Sequence, residues 1–222
     1  MKKKIYSVVL FFFLAIISYS QSTHKIKKSI CAQFQIPKAI SNKAFRSTFS
    51  GVLNVGASMN FSRNNFTVGP FYSIMQFQVF PKYFDDSHAL ETTQTGGLRF
   101  AYDKLTQSGN GMWSPFIAPG FSYINYTRLK YNTLPPTITK INTYSLNAGV
   151  AYNFMINEFT GVGFIIGYNI VENTFNPKAI SLDQYYTFQS GDDVGYTNHI
   201  FIGFSAYFSL SKRPEGEGGS DE

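Results

Sequence analysis

The residues best equipped for chemistry lie together in one stretch: Asp85, Asp86, Ser87 and His88, with Glu91 close behind. A hydroxyl, an imidazole and carboxylates are the parts of a nucleophile, a base and the acid that orients the base. Triads normally draw their members from separate elements, however, and neighbours on one loop rarely reach hydrogen-bond geometry. An ordinary solvated loop is the plainer account, so no catalytic residue is assigned. Asp85 and Asp86 together with Asp192 and Asp193 would give Ca²⁺ oxygen ligands if two distant stretches converged. Neither a metal nor a cofactor is assigned on that ground. A third set, Arg99 and Asp103 with Asn54, Asn147 and His199, acquires meaning only from the elements that carry it.

Those elements are constrained first by composition. Of 222 residues, 44% are apolar and 18% aromatic, with 23 Phe and 15 Tyr, and only 14% are charged. A typical soluble domain carries about 25% charge, so the surface of this one would be poorly hydrated. No stretch beyond the N-terminus approaches the roughly 20 apolar residues of a spanning helix, and recurrent aromatic and β-branched residues exclude disorder. Residues 1–20 read as a signal peptide: Lys2, Lys3 and Lys4, an apolar run from Ile5 to Ile17, then Ser18-Tyr19-Ser20 before Gln21. Removing those three lysines lowers the formal charge from +6 to +3, and no basic cluster points to nucleic acid. With Cys31 alone, no intramolecular disulfide forms.

The mature chain alternates with a period of two. Tyr144, Leu146, Ala148, Val150, Tyr152 and Phe154 interleave with Ser145, Asn147, Gly149, Ala151 and Asn153. The same rhythm runs from Phe49 to Phe61, from Val162 to Ile170 and from Ile200 to Leu210. A soluble sandwich would place Lys, Glu, Arg and Asp on its wet face. Here the polar positions are Ser, Asn, Gly and Thr, which suit a narrow, filled lumen, and the apolar face belongs in hydrocarbon. Only a closed barrel satisfies every backbone group there. Eight strands are expected: Ile26 to Ile36, Thr48 to Ser62, Phe66 to Phe80, Thr93 to Leu105, Trp113 to Tyr126, Ile141 to Phe154, Phe159 to Ile170 and Asn198 to Leu210. The connections alternate short and long, as periplasmic turns and extracellular loops do. The fold class is therefore all-β, an eight-stranded antiparallel transmembrane β-barrel over residues 21–210.

Local features add expectations. Pro70 and Pro119 lack a ladder donor, so bulges are expected beside Gly69 and Gly120. The phase of the third strand slips near Gln76. Tyr185-Tyr186-Thr187-Phe188 is expected to extend a hairpin inside the long Val171 to Thr197 connection. Arg99 and Asp103 share lumen parity but lie about 13 Å apart along their strand, so Arg99 is expected to reach Asn or Gln amides. Arg99, Asp103, Asn54, Asn147 and His199 form the expected lumen polar network. Phe61, Phe66, Trp113, Phe154, Phe159 and Phe208 make one aromatic girdle, and Phe49, Phe80 and Tyr144 the other. Lys38, Lys43, Arg46, Lys82, Arg128, Lys130, Lys140 and Lys178 lie at the outer loops, where they pair with lipopolysaccharide phosphates or form a charged rim.

This pattern resembles the small eight-stranded outer-membrane β-barrel proteins of Gram-negative bacteria. Ile200 to Leu210, with Phe204, Tyr207 and Phe208, looks like the closing strand that the barrel-assembly machinery recognises. That family commonly ends at the last aromatic, whereas here residues 211–222 add a polar tail, expected to be disordered and periplasmic. The resemblance implies outer-membrane lipid and lipopolysaccharide as surroundings, no cofactor, and a non-catalytic role in envelope integrity or in binding an envelope protein partner of a secretion or transport assembly. A barrel enzyme acting on lipid or peptide at the outer rim, or a narrow pore, is the alternative.

Overall fold

The computed structural model describes residues 26–80, 89–128, 136–184 and 187–210. The expected signal peptide, the polar tail and Asp85–His88 lie outside them. Eight strands run up and down in chain order: β1 (Lys27–Ala39), β2 (Phe49–Arg63), β3 (Phe66–Val79), β4 (Ala89–Tyr102), β5 (Gly111–Arg128), β6 (Thr137–Met155), β7 (Thr160–Val171) and β8 (Thr197–Ser209). After a break at Asp103, Lys104–Leu105 prolongs the line of β4 and pairs with β5. All pairings are antiparallel, and β8 closes on β1 from Ser29↔Ser209 to Ala39↔His199. Closure leaves no sheet edge to be satisfied by lipid.

The register fixes the shape. From Lys28, successive partners are Phe61, Val68, Phe100, Ile117, Ala148, Tyr168, Ile200 and then Lys38. One circuit therefore climbs from Lys28 to Lys38 on the same strand. With strands about 4.8 Å apart and about 3.4 Å per residue, that stagger tilts them by roughly 40°. Lys28 and Lys38 then stand about 25 Å apart along the barrel axis, the height of an apolar belt. Between them the outward side chains of β1 are Ile30, Ala32, Phe34 and Ile36, all exposed. Phe66, Trp113, Phe154 and Phe208, between 43% and 71% exposed, ring the periplasmic edge.

Strand parity follows the expectation in β6, β7 and β8, with even residues outward. Elsewhere the structure corrects it. Neither proline makes a bulge. Beside Pro70 the β2–β3 bridges lapse between Ser58↔Phe71 and Phe61↔Val68, and beside Pro119 the β4–β5 bridges lapse between Gly97↔Gly120 and Phe100↔Ile117. Both ladders resume in the same register. The missing N–H removes a pairing without inserting a residue, and Gly69 keeps the strands close: a Cβ there would stand 1.8 Å from the Met59 carbonyl oxygen. The register shift lies instead between Gly51 and Leu53, with Val52 as the extra residue. It turns Phe49 inward, where it is 2% exposed, so Phe49 is not a girdle residue.

The third strand does not slip at Gln76. Its odd residues face inward without interruption from Thr67 to Val79. What changes is the medium. Above Ile74 the outward residues become Gln76 and Gln78 while Met75, Phe77 and Val79 fill the interior. In β5 the outward face likewise turns from Phe121 to Asn125 and Thr127, and the inward face from Ser122 to Ile124 and Tyr126. The barrel wall thus rises beyond the belt into water and encloses an apolar plug. A short helix, α1 (Lys43–Thr48), supplies Ala44 and Phe45 to that plug from the β1–β2 connection. The β7–β8 connection forms two 3-10 turns, Pro177–Ile180 and Leu182–Gln184, which add Ile180 and Leu182. Thr187 and Phe188 are not in a strand, and Tyr185 and Tyr186 lie outside the described residues.

Candidate functional site

Within the belt the lumen is lined by the inward residues of all eight strands, and the network centres on the periplasmic half. Arg99 is 3% exposed. Its Nη2 donates to Ser114 Oγ at 3.3 Å, and its Cζ lies 4.7 Å from the centre of the Phe116 ring. It reaches a hydroxyl and an aromatic face rather than the expected Asn or Gln amides, because β5 lies directly beside β4 and presents Ser114 and Phe116 at that height. Ser114 Oγ in turn donates to Asp103 Oδ1, and Thr67 Oγ1 donates to Asp103 Oδ2 at 2.6 Å. One hydroxyl thus links the Arg99 and Asp103 side chains.

Asn54 belongs to a separate group. Its Nδ2 donates to Gln35 Oε1 at 2.6 Å, and Gln35 Nε2 donates to Gln33 Oε1 at 3.0 Å. Asn147 lines the same small cavity as Asn54, Gln33, Gln35 and Arg99. His199 stands apart from all of these. It is fully buried in the plug, with its ring centre 4.8 Å from that of Phe77 and 5.7 Å from that of Phe45, and neither ring nitrogen is hydrogen-bonded. It is an aromatic packing residue. The sequence reading missed Gln33, Gln35 and Ser114; alternation of Ser29, Cys31, Gln33 and Gln35 against Ile30, Ala32, Phe34 and Ile36 is the signal that finds the first two.

At the outer end, Asn42 ties the cap together. Its Oδ1 accepts from Phe45 N–H at 2.9 Å as the helix N-cap. Its Nδ2 donates to the carbonyls of Asp193 and Gly195, each at 3.1 Å, and of Phe175 at 3.4 Å. Ser41 Oγ donates to the Tyr196 carbonyl at 2.6 Å, and Lys43 Nζ pairs with Asp192 Oδ1 at 2.9 Å. The Lys43 ammonium, hydrogen-bonded to it, holds the Asp192 carboxyl below the usual carboxylate range, helped by the Gln189 N–H. That carboxylate is therefore engaged by Lys43 and the Gln189 N–H, while Asp85 and Asp86 lie outside the described residues. Among the described residues no three His, Cys, Asp or Glu side chains gather as metal ligands.

Two further placements correct the sequence reading. Arg128 is not a rim cation: it is 1% exposed, points inward, and Nη2 donates to Thr137 Oγ1 at 3.0 Å. Glu91, grouped by sequence with Ser87 and His88, is also 1% exposed and accepts from Thr93 Oγ1 at 2.7 Å inside the barrel wall. On the closing strand Phe204 and Phe208 face outward and Tyr207 faces the lumen. At the periplasmic mouth Asp103 and Tyr207 overlook a polar bowl of about 370 Å³ bounded by Asn64, Asn110 and Asn157 of the three short turns.

No family model matches the sequence, and no curated protein matches it. The fold is shared with solved structures, two of which superpose as follows. The crystal structure of Neisserial surface protein A superposes with a TM-score of 0.50 and 11% identity, covering 81% of this chain and 94% of that one. A major outer membrane protein from Thermus thermophilus superposes with a TM-score of 0.51 and 10% identity, covering 84% of this chain and 100% of that one. At such identities the likeness is one of architecture. Joined to the apolar belt and the closed register, it gives the chain the fold of the small eight-stranded outer-membrane β-barrels and places it in the outer membrane.

Proposed function

We propose that the chain is a non-catalytic barrel that serves envelope integrity or binds an envelope protein partner through its rigid external cap, as a subunit of a secretion or transport assembly. The carrying observation is the filled interior above the belt. Phe45, Phe49, Phe77 and Phe175 interlock with ring centres 4.8 to 5.5 Å apart, where a pore would need water and a rim enzyme would need access. The burial of Glu91 counts against the enzyme alternative, since its carboxylate is enclosed in the barrel interior, where a substrate at the rim does not reach it. The cap offers a partner Val194 and Tyr196, 70% and 49% exposed. Lys38 and Lys140, outward at and above the outer edge of the belt, suit lipopolysaccharide phosphates. Phe204 and Phe208 suit recognition by the assembly machinery.

The test combines conduction with capture. In planar bilayers the unmodified barrel is expected to show no sustained single-channel steps; robust steps promote the pore. Affinity isolation from detergent-extracted membranes is expected to recover one stoichiometric envelope protein with the native chain and to lose it with Val194→Asp. Lipid or peptide hydrolysis abolished by Ser87→Ala would replace this reading with the enzyme.

A further inference from the structure

The centre of the lumen holds a cation whose hydrogen-bonding capacity the protein leaves partly unused. Of the Arg99 guanidinium nitrogens, Nη2 is engaged by Ser114, but Nε and Nη1 have no hydrogen-bond partner and are buried. One face of the group is covered by Phe116. The carboxylate of its network, Asp103, is reached only through the Ser114 hydroxyl and is already held by Thr67. A buried charge is tolerated only when it is paired and its donors are met.

Beside Arg99 lies a cavity of about 30 Å³. A cavity needs roughly 10–15 Å³ to hold one water, so this one admits a monatomic ion or a water or two, and excludes phosphate, sulfate or a lipid headgroup. Its walls carry the amides of Gln33, Gln35, Asn54 and Asn147 and the Ser58 hydroxyl, and no acidic residue lines it. Asn54 and Gln35 each donate within the group, and Asn54 Oδ1 is left without a partner. Arg99 and the amide N–H groups of Gln33 and Asn147, with no carboxylate beside them, nevertheless make an environment that favours a negative guest. The rings of Phe71, Phe116 and Phe201 form much of the apolar remainder of the wall.

We propose that this cavity is a binding site for a small monovalent anion of chloride size, held by Arg99 Nε and Nη1 with the amide groups of Gln33 and Asn147 around it. The ion compensates the Arg99 guanidinium in place, on the side away from Ser114 and Asp103. It does not pass through, because the plug closes the outer end above it.

The full chain, refolded in phosphatidylcholine vesicles, is unfolded in urea with sodium chloride or sodium gluconate at equal ionic strength, gluconate being too large for the cavity. Raising chloride from about 10 to about 500 mM is expected to lower the unfolding equilibrium constant by about tenfold relative to gluconate. Arg99→Met, which keeps an unbranched, flexible side chain and removes the guanidinium with its charge, is expected to abolish that difference. Crystals grown in bromide are expected to show an anomalous peak beside Arg99 Nε, a readout that stands even if the variant fails to fold. The absence of that peak, meaning a cavity that holds water only, overturns the proposal. So does a peak without stabilisation, meaning binding at crystal concentration only, and so does a chloride effect that survives in Arg99→Met.

Discussion

Within the belt, β3 turns Tyr72 and Ile74 to the outside and Ser73 to the inside; a few residues higher it turns Gln76 and Gln78 out and Phe77 and Val79 in. Strand geometry is unchanged between the two regions, because alternation is imposed by the pleat. Only the surroundings differ. In hydrocarbon the polar groups must gather inside, where hydroxyls and amides bond one another, as in the row from Thr95 through Ser122 to Ser145. In water the wall can be polar, and the interior becomes an ordinary apolar core. One cylinder is therefore two folded bodies stacked end to end, each inverted relative to the other.

The comparison is broken most severely from the plug. Phe45→Ala leaves a cavity between Phe49, Phe77 and Phe175 and is expected to cost about 3–5 kcal/mol, read as a lower urea midpoint in bilayers. Next, the outward face should respond to the same substitution differently at two heights. Val150→Arg, in the belt, is expected to cost about 2–4 kcal/mol, whereas Gln76→Arg, above it, should cost well under about 1 kcal/mol. Equal costs would place the water boundary elsewhere. Loss of the N-cap through Asn42→Ala should cost about 0.5–2 kcal/mol, with faster hydrogen exchange confined to α1 and residues 172–196 while β6–β8 stay protected. The smallest effect concerns Lys43 and Asp192. Because the folded carboxyl titrates below its ordinary value of about 3.9, the stabilisation of the pair is complete above about pH 4 and fades as pH falls through the folded value. Exchange at Ala44 N–H, which donates to the Asp192 carbonyl at 2.7 Å, should accelerate in that acid window alone, and Asp192→Asn should remove the dependence.

Legibility followed the same division. β6, β7 and β8 were readable because over most of their length they face one medium, so hydrophobicity reports parity directly. Phe49, Gln76 and Arg128 misled for a common reason: each lies where the medium or the register changes, and apolar no longer means outward. The six-residue helix gave no periodic signal, since it depends on one anchor, Phe45, and on Asn42 bonds to carbonyls more than 130 residues away in sequence. The link from Arg99 to Asp103 was unreadable because it passes through Ser114 on the next strand. Conversely, the closing strand was plain because it alternates against a single medium, and the periplasmic girdle because Phe66, Trp113, Phe154 and Phe208 are repeated aromatic choices at one interface.

The climb from Lys28 to Lys38 has a mechanical meaning as well. Strand number and stagger together set the circumference of the wall, and both are integers, so the barrel behaves as a hoop that can neither shrink nor stretch by a fraction. A soluble core heals part of the void left by a truncated side chain by drawing its walls together. Here Arg99→Ala or Phe201→Ala would leave nearly the whole volume behind, because contraction would require every ladder bond from β1 to β8 to slip in concert. Substitutions in this lumen should therefore be additive in volume, each enlarging the same fixed vessel, until the separate spaces meet and water runs through.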